Sequence, residues 1–107
     1  MGTLFYGAAR FRVDFEDRAL AHLQIVMTAK HRRGEGFLLS WTVPTAGGGS
    51  RSAVWVHPAT DLEFSFSGGR APEINREWID TLVRLANTAD GLHLTGEGDL
   101  RPAPRGG

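Results

Sequence analysis

Four histidines, His22, His31, His57 and His93, are the side chains in this 107-residue chain best suited to proton transfer or metal binding. Their spacing assembles neither. None forms an H-E-x-x-H or comparable close pair, and the chain holds no cysteine, which excludes thiolate zinc sites, disulfides and cysteine nucleophiles. His57 with Asp61 and a nearby serine has the composition of a nucleophilic triad, but any chain of this length offers such triples. His22 falls at the edge of a helical apolar stripe and His57 precedes a proline at a strand end, so the histidines read as surface or boundary residues. The expectation is no catalytic residue, no metal and no cofactor.

Two other groupings bear on binding. Gly47-Gly48-Gly49-Ser50-Arg51 would present backbone N–H groups to a phosphate, with Arg51 as its partner. A P-loop needs a following Gly-Lys-Ser/Thr and a helix, whereas a strand follows here, so a hairpin loop is the simpler reading. Lys30-His31-Arg32-Arg33 is the one concentration of positive charge, with Arg10, Arg12 and Arg51 as outlying candidates for a nucleic-acid or anion patch. The same cluster equally suits the solvated last turn of a helix, where cations complement the dipole.

These residues sit on elements that the apolar periodicity defines. Thr3–Tyr6 and Arg10–Phe15 read as two strands around Gly7, with Phe11, Val13 and Phe15 alternating against Arg10, Arg12 and Asp14. The period then changes: Ala19, Leu20, Leu23, Val26 and Met27 fall within about 60° of Leu23 on a helix. Glu16 and Asp17 open that helix, Lys30, Arg32 and Arg33 close it, and Gly34 suits a left-handed cap. Strands follow at Phe37–Val43, Ser52–His57 and Leu62–Phe66, separated by a turn over residues 44–50 and by Pro58. Asn75 is a good N-cap for a second helix with Trp78, Ile79, Leu82, Leu85 and Ala86 on its buried side, and Ile74 can staple onto Ile79. Leu92–Thr95 reads as a sixth strand.

The order is therefore ββαβββαβ, an α+β domain over residues 1–95 with an antiparallel sheet and both helices on one face. Residues 96–107, rich in glycine, proline and charge, read as a flexible tail. Val54 and Val56 facing the helices would turn Trp55 and His57 outward on the open sheet face. Ile25 lies nearly opposite Leu23 on the first helix, and an exposed tryptophan or isoleucine there suggests an interface. Twelve acidic and twelve basic groups cancel, which argues against a general polyanion binder. The N-terminus lacks the pattern of a secretory signal, and no run of about 18 apolar residues would span a membrane. A cytoplasmic protein without membrane association is expected.

Phe5-Tyr6-Gly7, Asp17 to Gln24, Arg32-Arg33-Gly34-Glu35, Ser40-Trp41, Trp55-Val56-His57-Pro58, Asn75 with Trp78-Ile79, Ala86-Asn87 and Gly91-Leu92 together resemble a family of small actinobacterial proteins of unknown function. The resemblance covers residues 1–95. Members are often named "ATP-dependent DNA ligase" by automatic transfer, which implies a DNA repair or ligation context. A ligase takes up AMP on the lysine of Lys-x-Asp-Gly, whereas the sole lysine here, Lys30, is followed by His31-Arg32-Arg33. The chain therefore reads as a non-catalytic binding or protein-interaction module that self-associates or meets a protein partner. The alternative is a nucleic-acid-associated accessory protein using the basic residues above.

Overall fold

A computed structural model describes residues 1–45 and 47–96. The flexible tail expected over residues 96–107 lies, from residue 97 onward, outside the described residues. The elements run β1 (Gly2–Tyr6), β2 (Phe11–Phe15), α1 (Asp17–Arg32), β3 (Phe37–Thr45), β4 (Gly48–Val56), β5 (Leu62–Ser65), α2 (Arg76–Ala86) and β6 (Leu92–His93). This is the ββαβββαβ order and the α+β class that the periodicity predicts.

The strands divide into two three-stranded sheets, β2-β1-β5 and β4-β3-β6. Every pairing is antiparallel except β3 with β6, which run parallel. The division has a local cause. After Val56 the chain turns through His57-Pro58, and a proline that cannot donate a ladder hydrogen bond ends the strand. β5 then joins β1 in the first sheet instead of continuing the second. β6 reaches β3 only after α2, and a crossover through a helix delivers a parallel strand.

α1 buries Leu20, Leu23, Val26 and Met27, the stripe the period of 3.6 marks, and Gly34 takes the left-handed conformation (φ 69°) just past its end. α2 starts at Asn75, whose side chain accepts hydrogen bonds from the Glu77 and Trp78 backbone N–H groups. The core joins both sheets and both helices: Leu4, Leu20, Leu23, Met27, Leu39, Leu82 and Leu92 are all fully buried. Each such leucine contributes about 1.5–3 kcal/mol through burial. Phe15 of the first sheet meets Trp41 of the second edge-on, ring centroids 5.8 Å apart. Among the described residues no helix is long and apolar enough to cross a membrane.

The β3–β4 hairpin is longer than the sequence pattern predicts. Thr45 pairs with Gly48, Pro44 with Gly49 and Val43 with Ser50. The glycines expected in a turn over residues 44–50 thus enter the ladder, because the cross-strand hydrogen bonds carry an extended chain through residues of low strand propensity. A strand ladder is not the concave nest that would cradle a phosphate.

Candidate functional site

Residues paired across an antiparallel ladder point to the same face, so the register defines what the second sheet presents. Leu38 is paired with Trp55, Ser40 with Ala53, Thr42 with Arg51, and Ser40 also with His93 of β6. On the other face Leu39, Val56 and Leu92 are fully buried. The outer face therefore gathers Trp55, Arg51, His93 and the hydroxyls of Ser40 and Thr42. Trp55 is 56 % exposed. Its indole lies over Gly36, where an added Cβ would come within 2.8 Å of Trp55 Cζ2. The ring is thus seated on a glycine backbone while much of it remains open to solvent. His57 is exposed too, and its Nδ1 accepts the Ala59 N–H at 3.0 Å within its own turn.

β4 is also the edge of its sheet. The Trp55 carbonyl, which accepts the Tyr6 hydroxyl, points away from β3. Since N–H and C=O groups alternate between the two edges of a strand, Arg51 and Ala53 present theirs outward as well.

The residues singled out as a basic patch go to separate places. Lys30 is only 8 % exposed and donates to Glu35 Oε1 at 3.1 Å and to Asn87 Oδ1 at 2.5 Å, tying the last turn of α1 to the C-cap of α2. Arg32 and Arg33 remain exposed at the end of α1, with Arg33 Nε 3.5 Å from Glu35. Arg10 and Arg12 lie over the Phe5 ring on the outer face of the first sheet. Arg10 pairs there with Glu63 at 2.9 Å and Arg12 with Asp14 at 3.5 Å. Arg51 belongs to the other sheet.

His22 is not a boundary residue: it is fully buried. Its Nδ1–H donates to the Arg18 carbonyl at 2.7 Å, and its bare Nε2 accepts the Asn75 N–H at 2.8 Å. The ring packs on Trp78 with centroids 4.4 Å apart, and Trp78 Nε1 donates to the Thr95 carbonyl. The place of His22 on the α1 stripe was visible in sequence; its partner, 53 residues later, had no local signal. The same is true of Ser40 and His93, whose Oγ and Nδ1 lie 2.9 Å apart.

Three carboxylates are held below their ordinary range. Glu35 is lowered by the hydrogen bond from Lys30, against a smaller effect of burial, with Arg33 adding to it. Asp17 is lowered by the Ser67 N–H, opposed by burial and helped by the Gly68 N–H. Asp14 is lowered by the Thr3 hydroxyl and then by Arg12.

A family model for a domain of unknown function, DUF7882, matches residues 1–97. The chain belongs to the DUF7882 family. No curated protein and no solved structure matches it.

Within the DUF7882 domain, a serine hydroxyl beside an imidazole supplies two parts of an acyl-transfer site. The other ring nitrogen of His93, however, faces Thr42 Oγ1 at 3.5 Å and not an orienting carboxylate. His57 Nδ1 is engaged by the Ala59 N–H within its own turn. Among the described residues no group of three His, Cys, Asp or Glu side chains is placed to hold a metal ion. On the surface of the DUF7882 domain lie an exposed tryptophan seated over Gly36 and the outer edge of β4.

Proposed function

We propose that this DUF7882 protein is a non-catalytic interaction module that self-associates through the edge of β4. The observation that carries the reading is a nine-residue strand, Gly48–Val56, with no proline, an uncovered edge at Arg51 and Ala53, and Trp55 exposed beside it. A long open edge is a template for another strand, and two copies of one edge are self-complementary about a two-fold axis. Antiparallel pairing centred on Ala53 sets Arg51 opposite Trp55 of the partner subunit on the same face, a cation–π pair at each end of the joint. With equal numbers of acidic and basic groups, no net charge keeps two copies apart.

Light scattering across a concentration series tests this. Ala53→Pro removes only an outward N–H, which an edge strand tolerates, so it is expected to leave the fold intact and the protein monomeric. Trp55→Ala weakens the dimer by about tenfold or more. A wild-type protein that stays monomeric to about 1 mM excludes the reading.

A second reading rests on Trp55 and Arg51 sharing one open face: a nucleic-acid accessory protein that stacks bases on the indole and holds phosphate with the guanidinium. The resemblance to proteins named as DNA ligases supports that context, while Lys30, committed to Glu35 and Asn87, is withdrawn from it. Single-stranded DNA that binds with steep salt dependence and is released by Arg51→Ala would favour it over self-association.

A further inference from the structure

We infer that the exposed side of α1 is a docking groove for an acidic amphipathic helix of a partner protein, a site separate from the β4 edge. Two hollows adjoin on that side of the helix. One, of about 360 Å3, lies between α1 and the segment leading into α2; Ile25, Phe66, Pro72 and Ile74 form its apolar part and Arg70 its polar side. The other, more open, continues along α1 past Ala29 to Arg32 and Arg33. Ile25 and Gln24 line both, so the two form one trough with Ile25 at its centre.

Ile25 and Ile74 are each 38 % exposed although both border apolar surface. An apolar trough of this kind marks a contact surface. Its charge specifies the occupant. Among the described residues three arginines, Arg70, Arg32 and Arg33, line the trough and no carboxylate does, on a protein whose formal net charge is zero. Glu35 offsets Arg33, whereas Arg32 and Arg70 have no ion pair among the described residues. A partner must therefore bring apolar side chains for the centre and carboxylates for the two ends.

The shape favours a helix over an extended strand. The walls are side chains of α1 and of residues 66–74 and present no sheet edge, so an incoming backbone must satisfy its own hydrogen bonds, as a helix does. Ala21, Ile25 and Ala29 stand one turn apart, a ridge with a large residue between two small ones into which a second helix can pack. From Ala21 to Arg32 the ridge is about 16 Å long, three turns of a partner helix.

Fluorescence anisotropy of the full chain with a labelled synthetic peptide tests the inference. The probe carries leucines at i, i+3, i+4 and i+7 with flanking glutamates; a second peptide scrambles the same composition, and vesicles containing anionic lipid form a third arm. Binding of the amphipathic peptide alone is expected, weakened about tenfold or more by Ile25→Glu. Arg32→Ala with Arg70→Ala is expected to weaken it less and to flatten its salt dependence. Ile25→Glu alters a position already 38 % exposed, and circular dichroism checks that the variant folds. The inference is overturned by equal affinity for the scrambled peptide, by binding that Ile25→Glu leaves unchanged, or by no binding up to about 1 mM. Binding to the vesicles in place of the peptide assigns the trough to lipid. A loss of dimer in Ile25→Glu under light scattering assigns it to a second copy.

Discussion

His22 bonds backbone groups that belong to two helices, the Arg18 carbonyl within α1 and the Asn75 N–H at the start of α2. A buried ring satisfied at both nitrogens fixes the distance and the angle between those helices, and Trp78 covers one of its faces. His22→Ala removes the ring, leaves the Asn75 N–H unpartnered and opens a cavity. We expect a loss of about 2–4 kcal/mol in urea unfolding, with the fluorescence change centred on Trp78. A loss below about 1 kcal/mol would show that water replaces the ring without strain. Lys30 is the charged counterpart of this arrangement at the other end of α1. In sequence it headed a basic run; in the fold it faces inward, because Glu35 and Asn87 together offer its ammonium partners that solvent need not supply.

The hairpin of β3 and β4 shows how backbone positions hold an element in place. Gly91 precedes β6 with φ 82°, and a Cβ there would stand 2.6 Å from the Leu38 carbonyl oxygen and 2.7 Å from Leu38 Cβ. Gly91→Ala meets both a strained conformation and rigid backbone, so a loss of about 2–3 kcal/mol and weakened pairing of β6 are expected in thermal unfolding. Gly36→Ala is a different test. Its new methyl meets the far end of the Trp55 side chain, which can swing away, and stands 3.2 Å from the Val56 carbonyl oxygen, which must give by a few tenths of an ångström, so a loss of about 1 kcal/mol is expected while Trp55 becomes more accessible to acrylamide quenching. Quenching unchanged from wild type would mean that Gly36 does not seat the indole. Helices α1 and α2 were legible as periodic stripes, and the strands as short alternating or apolar runs between turn residues. The length of the hairpin was not, because glycines and a proline enter a ladder only when a partner strand already holds the chain extended.

Across the whole molecule, carboxylates at three junctions contribute to the response to acid. Asp17 joins the start of α1 to Ser67 and Gly68, Glu35 joins its end to Lys30, and Asp14 bonds Thr3 across β1 and β2. Each is lowered in the folded state. The unfolded chain therefore takes up protons first as pH falls, and the stability from these contacts is complete above the ordinary carboxylate range. It is lost as pH falls through the lowered folded values. The share of the urea midpoint that these contacts supply should accordingly hold steady down to that range and then decline. Asp17→Asn and Lys30→Met should each make the decline shallower, and an unchanged slope in both would place the acid sensitivity elsewhere. Sequence by itself determined the element order, the α+β class and the outward face of Trp55, because periodicity and caps act within a few residues. Only the tertiary structure decided that the strands split into two sheets, that Lys30 and His22 lie inside, and that the candidate basic residues occupy separate faces. Each of those outcomes depends on partners that lie far apart along the chain, and no local pattern records them.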